Sequence, residues 1–420
     1  MPADYILGIS AYYHDSAAAL LGNGEIIAAA QEERFSRIKH DPAFPARAVE
    51  YVLDEAGITL DKVQLVAFYD KPLLKFGRLL ETSHATAPRG IAAFIAAMPV
   101  WTKEKLFFRT LLKNALAPFF ADPKAEPPKL LFPEHHLSHA ASAFFPSPYQ
   151  EAAILTVDGV GEWATTTICR GKDNGIELLR QLDFPNSLGL LYSAFTAYCG
   201  FKVNSGEYKL MGLAPYGNAH AARTRDFKQK ILSRLVDVRP DGSFVINNKY
   251  FAYTSELRMY DPGLWLDLFG IAPRTPEGEI DQAYMDMAYA IQEVTEEIIM
   301  LLAQTARDLT GSRNVCMAGG VALNCVASGR LLRGKIFDGI WIQPAAGDAG
   351  GALGAALAAH YIYRGAERKA DDRHDRMKGA YLGPGFGDES IAGAVKRFNA
   401  PATYFANRED LYAAIADLLA

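Results

Sequence analysis

Two stretches of this chain repeat one order of signals, and the repeat limits the folds open to it. Tyr5-Ile6-Leu7-Gly8-Ile9-Ser10 is an apolar strand run, followed by a small-residue segment from Ser16 to Leu21, an Asn23-Gly24 turn and a second strand from Glu25 to Ala30. The order returns at Ala153-Ile154-Leu155-Thr156-Val157-Asp158, then Ala164 to Cys169, a turn at Asp173-Asn174-Gly175 and a strand from Ile176 to Leu179. Asn-Gly between apolar runs signals a hairpin, because a type I′ turn needs positive φ at both central residues. The pattern predicts a duplicated α/β domain, each half starting on a hairpin.

The length of 420 residues suits two or more lobes with cores of their own. Half the residues are apolar and the formal net charge is −5, which argues against a broad nucleic-acid footprint. Cys169, Cys199, Cys316 and Cys325 form no CxxC pair, the pattern of reduced thiols in the cytoplasm. Met1-Pro2-Ala3-Asp4 runs directly into a strand, so no signal peptide is expected. The longest uncharged apolar stretch, residues 90–102, is too short to span a bilayer and contains Pro99. The expectation is a soluble cytoplasmic protein with no membrane partner.

Between the repeats, about residues 74–121, aromatic and basic residues alternate (Phe76, Arg78, Trp101, Lys105, Phe107, Phe108, Arg109). This predicts a helical insertion packed on the body with snorkelling edges. Apolar spacing from Asp281 to Leu309, stopped by Gly311, predicts a core helix. Two strand–loop–helix units follow. Asn314 to Met317 leads through Gly319-Gly320 into a helix from Val321, and Ile340 to Gln343 leads through residues 344–351 into a helix reaching about Arg364. Glycine in such loops lets backbone N–H groups approach an anion. Neither loop is a P-loop. After the turn-rich link Gly383-Pro384-Gly385-Phe386-Gly387 a new α/β pattern begins, ending in a helical run from Arg408 to Ala420. That run closes on apolar residues without a cap, so continuation into a further domain is expected.

His135 and His139 stand four apart in Pro133-Glu134-His135-His136-Leu137-Ser138-His139. On a helix they share one face, with Cβ atoms about 5–6 Å apart, which suits one metal ion held by two imidazoles. Asp158, closing its strand run, is placed to add an oxygen ligand. Histidines that merely line or cap a helix are the competing reading.

Seven ordered blocks then carry a resemblance: ILGISAYYHDSAA, EERFSRIKHDPAFP, HHLSHAASAFF, VDGVGEW, SGEYKLMGLAPYG, AGGVALNC and GDAGGALGAAL. Together they resemble the nodulation-type and antibiotic-pathway O-carbamoyltransferases, over nearly the whole chain. The resemblance implies an actin-like, sugar-kinase-like (RNase H-like) duplicated domain close to the tRNA threonylcarbamoyl-transfer proteins. Residues 1–150 would form its first lobe and 151–385 its second. Residues 386–420 would link to and start a truncated domain similar to the threonylcarbamoyl-adenylate synthases (YrdC-like). In that family ATP and carbamoyl phosphate give carbamoyl-adenylate, whose carbamoyl group passes to an acceptor hydroxyl. A tRNA threonylcarbamoyl-transfer protein and an ATP-dependent kinase of the same fold are the alternatives.

By motif position the resemblance makes His135, His139, Asp158 and Asp348 the metal ligands and suggests iron. Two imidazoles and two carboxylates suit Fe, Mn, Zn or Ni alike. Gly159, Gly161, Glu207, Lys209, Gly319, Gly320 and Asn324 are the residues expected at the nucleotide, ATP or carbamoyl-adenylate, with Mg accompanying ATP. His14 is the candidate general base, an imidazole near neutral pKa, against the reading of a histidine bonded in a turn. Lys39 is the candidate for neutralising a phosphate or carbamoyl oxygen, against a solvated basic edge. The expected partners are a small hydroxylated acceptor, carbamoyl phosphate and ATP, with no nucleic acid; an oligomer is compatible with the aromatic-rich helices before residue 121.

Overall fold

The computed structural model describes residues 4–91, 94–95, 98, 107–122 and 124–420. Within the expected insertion at about 74–121, Trp101 and Lys105 lie outside the described residues. The rest of it includes helices Pro72–Thr86 and Phe108–Leu116.

Strands β1 (Tyr5–Ser10), β2 (Ala17–Gly22), β3 (Glu25–Gln31), β4 (Val63–Phe68) and β5 (Lys129–Leu131) form one sheet in the order β3-β2-β1-β4-β5. Strands β6 (Glu151–Val157), β7 (Ala164–Lys172) and β8 (Gly175–Asp183) open a second sheet. A ribbon of β9 (Val236–Val238) and β10 (Phe244–Ile246) intervenes. Strands β11 (Asn314–Ala318) and β12 (Gly339–Ile342) then complete the order β12-β11-β6-β7-β8. In each sheet the first strand runs antiparallel to its hairpin partner and parallel to the strand on its other side. One five-strand topology therefore occurs twice, the duplicated α/β arrangement that the sequence predicts.

Three local details differ from expectation. The small-residue segment after β1 is itself a strand, β2, so each repeat opens on a three-stranded meander. Its alanines are buried where the helix Asp348–Ala358 packs across β1 and β2, and small side chains permit that approach. The helix after β11 begins at Cys325, not Val321. Asn324 takes the cap position and accepts the Ala327 N–H at 3.0 Å, while residues 320–323 make a 3₁₀ turn. Past Leu382, a second compact unit, Gly383–Ala420, holds helices Asp388–Phe398 and Arg408–Leu419 and no strand among its residues. A strand needs a ladder partner, and none lies within this segment. The core helix matches its prediction: Gln282–Thr310, capped by Asp281 and ended by Gly311 in the left-handed region.

The helix Asp348–Ala358 is buried along its whole length. It lies so close to the helix His135–Phe144 that a Cβ on Gly354 would come within 1.8 Å of the Ser138 carbonyl oxygen. Only glycine permits that contact, and it fixes the register between the two helices that carry His135, His139 and Asp348. No helix among the described residues is long and apolar enough to cross a membrane.

Candidate metal centre and adjoining cleft

The His135–Phe144 helix follows β5, and its i,i+4 spacing brings the Nε2 atoms of His135 and His139 to 3.0 Å. Asp158 stands just past the end of β6, and Asp348 opens the helix after β12. From His135 Nε2, Asp158 Oδ2 lies at 3.1 Å and Asp348 Oδ1 at 3.6 Å; from His139 Nε2 the same oxygens lie at 3.6 and 3.5 Å. An ion about 2.1 Å from each donor separates neighbouring donors by roughly 3.0–3.4 Å. Two imidazoles and two carboxylates at these spacings fit one divalent cation.

The charge balance fits as well. Burial works to raise the Asp158 carboxyl, yet hydrogen bonds from His135 and His139 outweigh it and hold the group well below the usual carboxylate range. Burial likewise opposes ionisation of Asp348, but the charges of His14 and His135 hold it low too. Burial alone would lower His139; the Asp158 and Asp348 carboxylates overcome it and push the imidazole up to about 9. His14 follows the same pattern, pushed up to about 9 against burial, chiefly by Asp348 and then by Asp15. Without an ion, two extra protons thus balance two buried carboxylates, and a divalent cation would supply the same charge in their place.

His136 turns away from the cluster. Its Nδ1 meets Thr156 Oγ1 at 2.6 Å, and burial and the neighbouring imidazoles push its pKa well down. The neutral ring is bonded to the β6 strand.

Asp158 and Asp348 also line a cleft of about 410 Å³, which includes Tyr13, His14, Lys39 and Tyr208. His14 Nδ1 bonds Asp15 at 2.9 Å, while its Nε2 lies 3.7 Å from Asp348 Oδ2. Asp15 in turn bonds His40 Nδ1 at 2.6 Å. Lys39 places its ammonium 5.1 Å from the Tyr208 ring centre, with no carboxylate in ion-pair reach among the described residues. Gly159, Glu207, Gly320 and Asn324 line the cleft too, whereas Gly161, Gly319 and Lys209 do not.

The polar groups of several cleft residues already have partners. Gly320 donates its N–H to Asp158 Oδ1 at 2.8 Å, orienting that carboxylate. Glu207 accepts from Ser193 Oγ at 2.7 Å and from the Asn204 and Gly206 N–H groups, bracing the loop that leads into its helix. Asn324 exchanges amide hydrogen bonds with Gln292 at 2.9 and 3.1 Å. Lys209 is exposed on the Glu207–Leu213 helix. Tyr13 and Tyr208, exposed aromatic walls of the cleft, escaped the sequence reading because neither has a spacing partner. Glu162, whose carboxylate meets the start of the histidine helix, escaped it as well; its only signal is its place in the glycine loop after Asp158.

A family described as carbamoyltransferase N-terminus matches residues 5–357. An uncharacterized protein of Synechocystis sp. is 53% identical over 99% of this chain and 66% of its own length. The nodulation protein NolNO of Sinorhizobium fredii is 34% identical over 90% of this chain and 50% of its own length. The chain therefore spans between half and two thirds of these relatives. Among solved structures, component A of the (R)-2-hydroxyglutaryl-CoA dehydratase of Acidaminococcus fermentans aligns over 86% of this chain and 100% of that one, with a TM-score of 0.43 and 17% identity.

Proposed function

The chain belongs to the carbamoyltransferase N-terminus family, and on that premise we propose that it carries the transfer site of an O-carbamoyltransferase. The acceptor would be a hydroxyl of a small metabolite, antibiotic or glycan, and the donor carbamoyl-adenylate made from ATP and carbamoyl phosphate. The observation that carries this reading is the meeting of the four-donor cluster with the cleft: Asp158 and Asp348 belong to both, and His14 stands beside them.

In the transfer, the acceptor oxygen adds to the carbamoyl carbon and the bond from that carbon to the phosphate oxygen breaks. AMP leaves, and the hydroxyl proton passes to a base. His14, tied through Nδ1 to Asp15, acts as that base through Nε2 once its imidazole is neutral; in the metal-free protein, against burial, Asp348 and Asp15 push it up to about 9 and keep it protonated. Lys39, with no carboxylate in ion-pair reach among the described residues, neutralises the phosphate of the departing nucleotide. Tyr13 and Tyr208 supply flat apolar walls that exclude water from the reacting carbon. His135, His139, Asp158 and Asp348 would hold a divalent ion, Fe, Mn, Zn or Ni, that polarises a carbonyl or phosphoryl oxygen when bound.

A single-turnover reaction with labelled carbamoyl-adenylate and a library of hydroxylated metabolites tests the proposal. The expected products are AMP and a labelled O-carbamate ester, both lost in H135A/H139A protein. Transfer of label to tRNA would move the assignment to the threonylcarbamoyl-transfer class. Phosphorylation of an acceptor from ATP would make the protein a kinase.

A further inference from the structure

Glu162 lies in the loop that leaves Asp158, and its carboxylate is buried. Both of its oxygens sit on the backbone N–H of His135, at 3.1 and 3.0 Å, and Oε1 also accepts the Lys71 N–H at 2.8 Å. The histidine helix begins at that point with unpaired N–H groups. Glu134, in the cap position, makes no side-chain cap; its carboxylate pairs with Lys71 Nζ at 2.8 Å instead. Glu162 thus does from a distant loop what a capping residue does locally, and its charge also suits the positive end of the helix.

One loop therefore grips His135 twice. Glu162 takes its backbone N–H, and Asp158 Oδ2 lies 3.1 Å from its Nε2. Between them a Cβ on Gly161 would stand about 3.0 Å from the His135 and His136 rings, so any larger residue there would press on both imidazoles. Metal-bound histidines usually donate the second ring N–H to a partner that fixes the ring. Here the Nδ1 atoms of His135 and His139 are buried with no hydrogen-bond partner among the described residues. The orientation of His135 must then come from its packing, including an edge-on contact with the Tyr69 ring at 5.4 Å between ring centres, and from the position of its backbone.

We propose that Glu162 is a positioning residue of the metal centre. By holding the His135 N–H it sets the helix end from which both imidazoles reach the ion, and it locks that end to the loop bearing Asp158. The inference rests on the metal reading given above.

Cobalt(II) titration of metal-free protein, followed by visible d–d absorption, tests it in the native chain and in E162Q, E162D and E134Q. The expected result is binding about 10–100-fold weaker in E162Q, the range typical of groups that support metal ligands, with a shifted absorption band. E162D keeps the charge but withdraws it by one methylene, and should fall between E162Q and native. E134Q should match the native protein. Native affinity and an unchanged band in folded E162Q, with only its melting temperature lowered, would reduce Glu162 to a helix cap and overturn the inference. If E162Q does not fold, native affinity in E162D overturns it equally. Absence of cobalt binding by the native chain removes the metal reading itself, and this inference with it.

Discussion

His14 Nε2 lies 3.7 Å from Asp348 Oδ2, joining the loop after the first strand to the first residue of the helix that follows the last. Asp348 thus faces the histidine pair on one side and the cleft on the other. Its removal should be felt at both. D348N protein should lose metal by more than the 10–100-fold typical of supporting groups, measured as bound metal per chain after gel filtration. Native metal content in D348N would show that Asp348 is not a ligand.

Raised histidines give the metal-free protein a pH dependence of defined sign. The folded pKa of His139 is about 9, above its ordinary value. Its contribution to stability is complete below about 6.5 and fades as pH rises through 9. Thermal melts of metal-free protein should show a falling melting temperature over that window. The fall should shrink when a divalent ion is added, because the ion replaces the protons. An equal decline with and without metal would contradict the charge balance described for the cluster.

The contact at Gly354 predicts a mutation far from the cleft chemistry that still disturbs the centre. A Cβ there meets the Ser138 carbonyl oxygen at 1.8 Å, so G354A must push the two helices apart. Overpacking of this kind typically costs about 1–3 kcal/mol, and urea denaturation should report at least that. Wild-type stability in G354A would mean that the helices do not pack so closely.

The thiols separate cleanly. Burial pushes Cys169 up to about 11 and Cys199 and Cys316 up to about 12, while Cys325 is exposed. An aromatic disulfide reagent should react rapidly with one thiol per native chain and with four after denaturation. Two or more fast thiols would contradict the burial pattern.

These relationships were legible in the sequence to different depths. The pair His135 and His139 could be read because helical spacing alone decides which face a side chain shares. The repeated strand order was legible because turns and apolar runs mark hairpins locally. Asp348 came only through the resemblance, since its approach to His139 depends on two helices meeting at Gly354 and Ser138. Glu162 left only one faint trace, its place in the glycine loop after Asp158: its partner is a backbone N–H earlier in the chain, and every residue but proline carries one. The alanine-rich β2 reads in the sequence only as a small-residue segment, because alanine has weak strand preference. The shared hydrogen bonds of Asn324 and Gln292 depend on the packing of the core helix, which no motif records.

X-ray absorption at the metal edge tests the central claim most directly. The protein, loaded with one divalent ion per chain, should show a shell of only nitrogen and oxygen near 2.0–2.2 Å, with the outer-shell scattering of two imidazoles. Both imidazole signals should vanish in H135A/H139A protein. A sulfur-containing shell, or a spectrum unchanged by that double substitution, would place the ion elsewhere and contradict the account.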